Sequence, residues 1–370
     1  MTATLMDANP NLKQQVLPNY KKQWAADLAA RYQQPSAAAL FTNKGRLDGA
    51  FAGGETKRGS KIEAIGGGYT VKFPVITEHA ANGEWTTPWG TSSGSTGGMS
   101  KWGETPLVLR RERTDWNVLE DGVLQGDALL MDIKKQRIPD LMRSHFEAIY
   151  NGVWGIPTDE DDITSLRGIP YWLQPNNAAE GLVGGNPPGH SSRAGITNDR
   201  WKNYVFHYDT ATLDDLIQVI RQARLTMKYA AYPDVPMDQQ PHLVGRYFLL
   251  CNFVTFNAIS QLPISQNSQQ PNYYNLVVNG ARVNVDGVYF IYDSALDDTT
   301  KFPNNPLYMI DADTWATTVL KNGSGDWWYQ LSPVFPSDRS QPLARTRFLW
   351  SYFSLACMDL QRNAVIHQTP

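Results

Sequence analysis

The residues able to do chemistry are few and scattered along the 370-residue chain. His207 and Asp209 form an HxD pair, a spacing at which a carboxylate can orient an imidazole for acid–base work. A triad would need a serine held in a glycine-flanked turn, and none stands out. The run Asp159-Glu160-Asp161-Asp162 offers oxygen ligands for a hard cation. It lacks the glycine-centred spacing of a calcium loop, so a solvated acidic turn is expected. Histidines stand at 79, 145, 190, 207, 242 and 367, too far apart for local metal spacing. The stretches GGGYTVK (66–72) and GLVGGNPPG (181–189) match neither phosphate-loop nor dinucleotide spacing and read as turns. No catalytic residue, cofactor or metal site is assigned, and no enzymatic activity is expected.

Two further groups suit association rather than catalysis. In Arg110-Arg111-Glu112-Arg113, strand alternation puts Arg111 and Arg113 on one face and Arg110 with Glu112 on the other. No broad basic surface for phosphates results, and cross-strand or intersubunit ion pairs are expected. The second group is WTTPWGTSSGSTGGMSKWGE, residues 85–104. Gly and Ser belong to solvated loops, whereas Trp85, Trp89 and Trp102 are rings that folding normally hides. A partner surface is the expected cover for them.

The elements that position these residues can be read from periodicity. Tyr20, Trp24 and Leu28 recur at i, i+4, i+8 and mark a short helix within an N-terminal arm. Their narrow stripe is an interface candidate, the other reading being a helix packed on its own domain. YTVKFPVIT and TPLVLRRERTDWNVL have strand character, and the long Gly/Ser-rich connection between them makes an extended hairpin. A helical period runs from about Gly126 to Val153 with Leu130, Ile133, Ile138, Leu141, Met142, Phe146, Ile149, Tyr150 and Val153 on its apolar side. Pro139 should kink it or begin a second helix, and His145 near the stripe reads as a packed or interface residue. A further helix opens at Thr212 with Asp215 in near capping-box position. GRYFLLCN reads as a strand, FVTFNAISQL as a helix, and NLVVNGARVNVDGVYFIYD as a hairpin turned at Asn279-Gly280. The aromatic tail LARTRFLWSYFSLACMDLQRNAVIH reads as one or two long strands. The sum is an α+β chain.

Composition limits the partners. The net charge of −3 gives no long-range attraction to nucleic acid or a membrane. Only 19% of residues are charged, while 12 Trp and 17 Tyr suit either extensive interfaces or a large aromatic core. Cys251 and Cys357 lie in apolar runs and read as buried thiols. The N-terminal sequence lacks the basic-then-apolar order of a signal peptide, and no run approaches the ~18 apolar residues of a span. A soluble protein made and assembled in the cytoplasm is expected.

The order of parts resembles the major capsid protein of tailed bacteriophages, the HK97-type fold. VKFPVIT and LVLRRERTDW resemble the two strands of that family's extended loop, and DIKKQRIPDLMRSHFEAIYNGVWG its spine helix. ITSLRGIPYWLQ, AGITNDRWKNYVFHYD and TLDDLIQVIRQARLTMKY resemble the entry to its axial domain. GRYFLLCNFVTFNAIS, NPLYMIDADTW and ARTRFLWSYFSLACMDLQRNAVI resemble the late axial strands and the return to the peripheral sheet. The resemblance implies an arm at 1–45, an extended loop at 46–116, a spine-helix region at 117–154, an axial domain at 155–310 and a peripheral return at 311–370. It also implies hexamers and pentamers closing an icosahedral virion shell around double-stranded DNA without sequence-specific contact. A portal, a separate scaffolding protein and a decoration protein would be its partners. No cross-link is assigned to Lys101.

Two other functions fit parts of the sequence. An encapsulin-like nanocompartment shell would share the fold and enclose protein. A carbohydrate-binding or carbohydrate-active protein would stack sugars on Trp85, Trp89, Trp102, Trp327 and Trp328, and would need paired carboxylates that the sequence does not place.

Overall fold

A computed structural model describes residues 61–65, 70–76, 100–117, 127–157, 162–175, 181–182, 202–227, 247–265, 282–285, 288–311, 314–320, 330–332, 334–338 and 341–369. All of them belong to one unit, Ser36–Pro370. Strands and helices are mixed in sequence, as an α+β chain requires. The strands are β1 (Lys61–Ile65), β2 (Thr70–Ile76), β3 (Ser100–Pro106), β4 (Val108–Asn117), β5 (Gly181–Leu182), β6 (Tyr204–Tyr208) and β7 (Tyr247–Cys251). They continue with β8 (Arg282–Val285), β9 (Val288–Tyr292), β10 (Leu307–Asp311), β11 (Trp315–Leu320), β12 (Gln330–Leu331), β13 (Phe335–Asp338), β14 (Gln341–Cys357) and β15 (Ala364–Gln368). The helices are α1 (Asp127–Val153), α2 (Ile169–Trp172), α3 (Gln218–Thr226, entered through a π turn at Leu213–Ile217) and α4 (Phe253–Ser265).

β14 organises a six-stranded sheet. Along one edge it pairs antiparallel with β4, and along the other in turn with β13, β12 and β11, with β1 parallel beyond β11. A seven-stranded sheet runs β5-β6-β15-β10-β7-β9-β8, in which β6, β15, β7 and β9 point the same way. Its central strands are buried on both faces, and the period of two decides which core each side chain enters. Phe248, Leu250, Ile291, Tyr308, Ile310 and Val365 point into a core shared with the six-stranded sheet and α1. Leu249, Cys251, Phe290, Met309 and Ile366 point into a second core with Ile220 and Ala223 of α3 and Ile259 of α4. Both cysteines are buried free thiols.

α1 joins the two sheets. Its length, about 40 Å at 1.5 Å per residue, carries Leu141, Met142, His145, Ile149 and Val153 as one buried stripe. Pro139 lies inside this single helix and starts no second one. The helix leaves through a backbone crossing that tolerates only glycine. A Cβ on Gly168 would stand 2.3 Å from Val153 O and 2.7 Å from Gly155 O, both of them backbone atoms.

The structure corrects one strand assignment. The partner of β2 is SKWGETP, with Phe73 opposite Gly103 and Pro74 opposite Trp102. LVLRRERTDW instead forms β4 on the central strand β14. The break at Leu107 divides what looked like one run, so its two ends serve different sheets. β8 and β9 pair antiparallel with Val285 opposite Val288, and the turn expected at Asn279-Gly280 lies outside the described residues.

Candidate subunit interface

The β2–β3 hairpin is fixed at its root. Val71, Phe73, Thr105 and Leu107 are buried there. The Phe73 ring packs edge-on against Trp172 at 6.1 Å, and it lies so close over Gly103 that a Cβ there would meet it at 2.7 Å. Arg167, itself buried, donates to Glu104 O at 3.1 Å and sits 5.3 Å over the Tyr171 ring. Thr105 accepts a hydrogen bond from the Ser354 hydroxyl of β14 at 3.3 Å. Trp102 therefore belongs to a strand next to an anchored root. Trp85 and Trp89, like Tyr20, Trp24 and Leu28, lie outside the described residues.

β4 carries the arginine cluster along the border of the six-stranded sheet. Arg110 pairs with Glu112 at 2.5 Å and Arg113 with Asp115 at 2.7 Å. These pairs run along the strand, between i and i+2 on a common face, instead of across to β14. Alternation had placed Arg110 with Glu112 correctly, but it took no account of Asp115. The Asp115 carboxyl lies below the usual range; burial opposes the shift, and hydrogen bonds from Arg113 and Thr346 outweigh it. Arg111 lies over the Phe348 ring at 5.3 Å.

Behind β4, α1 presses His145 against Ser351, Nε2 to Oγ at 2.8 Å. Ser351 is the register partner of Arg110. Further along the helix, the Tyr150 hydroxyl donates a short hydrogen bond to Asp293 and accepts from Ala295 N. Burial and the Asp293 carboxylate push the Tyr150 phenol well above its ordinary value. Trp154 then meets Phe302 and Tyr308 edge-on at 5.6 and 5.4 Å. One helix is thus locked to both sheets.

Sequence reasoning missed Asn363, the buried amide where the chain crosses between the sheets. Its Oδ1 accepts from Asp311 N and Trp315 Nε1, both at 3.0 Å. Its Nδ2 donates to Thr314 Oγ1 at 2.9 Å and Asp359 O at 2.7 Å. Nothing in a lone Asn between Arg362 and Ala364 marks it as the residue that ties the 311–315 stretch to Asp359.

Among the described residues, the chemistry-bearing side chains serve structural contacts. Asp162 Oδ1 accepts from Thr164 N, the Thr164 hydroxyl and Ser165 N. Those bonds hold its carboxyl down to about 2 and make it a turn cap. The remainder of the acidic run lies outside the described residues. His207 packs on His367 across β6 and β15 at 4.5 Å, while Asp209 and Thr210 donate their backbone N–H groups to Asp215 Oδ2. Asp215 thus caps the turn before the helix that Thr212 was expected to cap. At the carboxyl ends of the parallel strands, where open sheets hold ligands, the amides occupy one another. Asn252 donates to Asn305, Asn305 to Gln368, and Gln368 to Asp209 O. Among the described residues no group of three or more His, Cys, Asp or Glu could hold a metal, and no helix is long and apolar enough to cross a membrane.

The architecture is the informative feature. The chain superposes on a capsid subunit of the cyanophage A-1(L) with a TM-score of 0.53, covering 91% of this chain and 96% of that one at 14% identity. The chain has the HK97-like capsid fold. A capsid protein of the cyanophage P-SCSP1u matches with a TM-score of 0.51 over 84% of this chain and 86% of that one, at 9% identity. The capsid of a native GTA particle matches with a TM-score of 0.52 over 84% and 88%, at 10% identity. No protein-family model and no curated protein matches the sequence.

Proposed function

We propose that this chain is the structural subunit of a bacteriophage head. Copies associate as hexamers and pentamers into an icosahedral shell around double-stranded DNA. The observation that carries the reading is the capsid fold, matched over nearly the whole of both chains. The energetics support it. A shell tile must keep its shape while many weak contacts add up around it, and here a continuous core and a 27-residue helix tie both sheets together. The role is structural rather than catalytic, and its site is the virion. Scaffolding, portal and decoration proteins are its partners under this reading.

The interface residues under this proposal are Tyr20, Trp24 and Leu28 of the arm, Trp85, Trp89 and Trp102 of the extended loop, and Arg110, Arg111, Glu112 and Arg113 of β4. Negative-stain microscopy of the expressed protein tests the reading. Uniform shells or hexamer sheets are expected, and a stable monomer at high concentration overturns it. The contents of purified shells, DNA or protein, separate a phage head from a nanocompartment.

A further inference from the structure

The face of the six-stranded sheet turned away from α1 carries a partly exposed stripe of apolar and basic side chains. Register sets three pairs side by side across β4 and β14: Leu109 with Tyr352, Arg111 with Trp350, and Arg113 with Phe348. Leu109 is 47% exposed, and the three aromatic residues are half-buried. Arg113 has its carboxylate partner within the strand. Arg111 has no carboxylate partner among the described residues, and its guanidinium rests on Phe348. Arginine on an aromatic shelf concentrates binding energy once a partner excludes water from it.

A second exposed patch has the opposite sign. In the first turn of α4, Phe253 is 57% and Val254 64% exposed. The Phe253 ring meets Tyr292 edge-on at 6.0 Å. Asp297 accepts from Phe253 N at 2.8 Å and from the Tyr292 hydroxyl at 2.6 Å. Asp297 and Asp298 are both exposed, and neither has a cationic partner among the described residues.

We propose that the Arg111 stripe of one copy docks on the Phe253–Asp297 patch of a second copy. This rests on the reading of the chain as a self-assembling subunit and names one of its contacts. The charges are complementary, and among the described residues neither meets an opposite charge within its own chain. Each surface sets apolar side chains beside charge, as interfaces do. The two surfaces differ, so the contact is heterologous; it repeats head to tail and closes a ring when the rotation allows.

Charge reversal in the full chain tests the contact. Arg111→Glu and Asp298→Arg are each assembled alone and in equimolar mixture, with light scattering and microscopy as readouts. Val254→Arg serves as a second patch variant, because Asp298 also accepts the Thr300 N–H. Each variant should keep the wild-type melting temperature while assembly falls by about tenfold or more. In six-membered rings the mixture should recover to within about twofold of wild type, since alternating copies set the reversed stripe on the reversed patch and the wild-type stripe on the wild-type patch. Assembly of Arg111→Glu at the wild-type level, or a mixture as deficient as its components, overturns this contact while wild-type shells leave the capsid reading standing. A wild-type chain that stays monomeric removes both.

Discussion

His145 on α1 places its Nε2 2.8 Å from the Ser351 hydroxyl of β14, with the imidazole wholly buried between helix and sheet. Burial first, and the Arg110 charge second, hold this imidazole down to about 4 from its ordinary 6.5. The unfolded chain therefore takes up the proton before the folded one does. Stability from this group is complete above about pH 6.5, falls as pH drops toward 4, and is lost below that, a difference of about 3 kcal/mol. His145→Gln should flatten the melting temperature between pH 6.5 and 4 relative to wild type. Parallel curves for the two proteins would assign the acid sensitivity elsewhere.

Gly103→Ala drives a methyl group into the Phe73 ring at the hairpin root. The ring is confined by Trp172 and cannot swing away freely, so a loss of about 1–3 kcal/mol is expected in urea unfolding. Adding Phe73→Leu should recover part of that loss. If the pair is simply additive, the contact is not what excludes a side chain at position 103.

Asn363→Ala leaves the Trp315 indole N–H and the Asp311 amide without their shared acceptor in a dry crossing. An orphaned buried donor costs about 1–3 kcal/mol, and two are created here. The variant should be among the least stable single substitutions in the chain, read by denaturant midpoint. Asn363→Asp keeps the acceptor but brings a second carboxylate near buried Asp311, and should also be destabilised, increasingly so as pH rises.

Tyr150→Phe removes the hydroxyl that ties α1 to Asp293. The expected cost is about 1–3 kcal/mol, because the Asp293 carboxylate loses a donor in a partly buried site. Hydrogen exchange should show the added opening at 293–296 and at the end of α1. Exchange unchanged in both segments would mean that the aromatic contacts of Trp154 hold the junction alone.

Changing Trp85, Trp89 and Trp102 together to Ala should leave the monomer folded and weaken the shell. A monomer that unfolds instead places those rings in an ordinary core. Circular dichroism and particle counts from the same preparation separate the two outcomes.

The sequence by itself determined the type of its most strongly patterned elements. Local pattern carries that information: the four-residue spacing from Leu141 through His145 and Ile149 to Val153 is a helix face whatever it packs on, and the short apolar run of β7 is a strand wherever it pairs. It also separated Arg110 and Glu112 from Arg111. Only the tertiary structure decided partners. Nothing local distinguishes SKWGETP from LVLRRERTDW as the mate of β2, because pairing depends on register and on which face must be buried. Glycine at 168 is required by backbone oxygens of Val153 and Gly155 that fold back onto it, and Asn363 acquires its role from segments distant in the chain. Periodicity is a property of neighbours along the backbone, whereas burial, pairing and the sharing of hydrogen bonds are properties of neighbours in space.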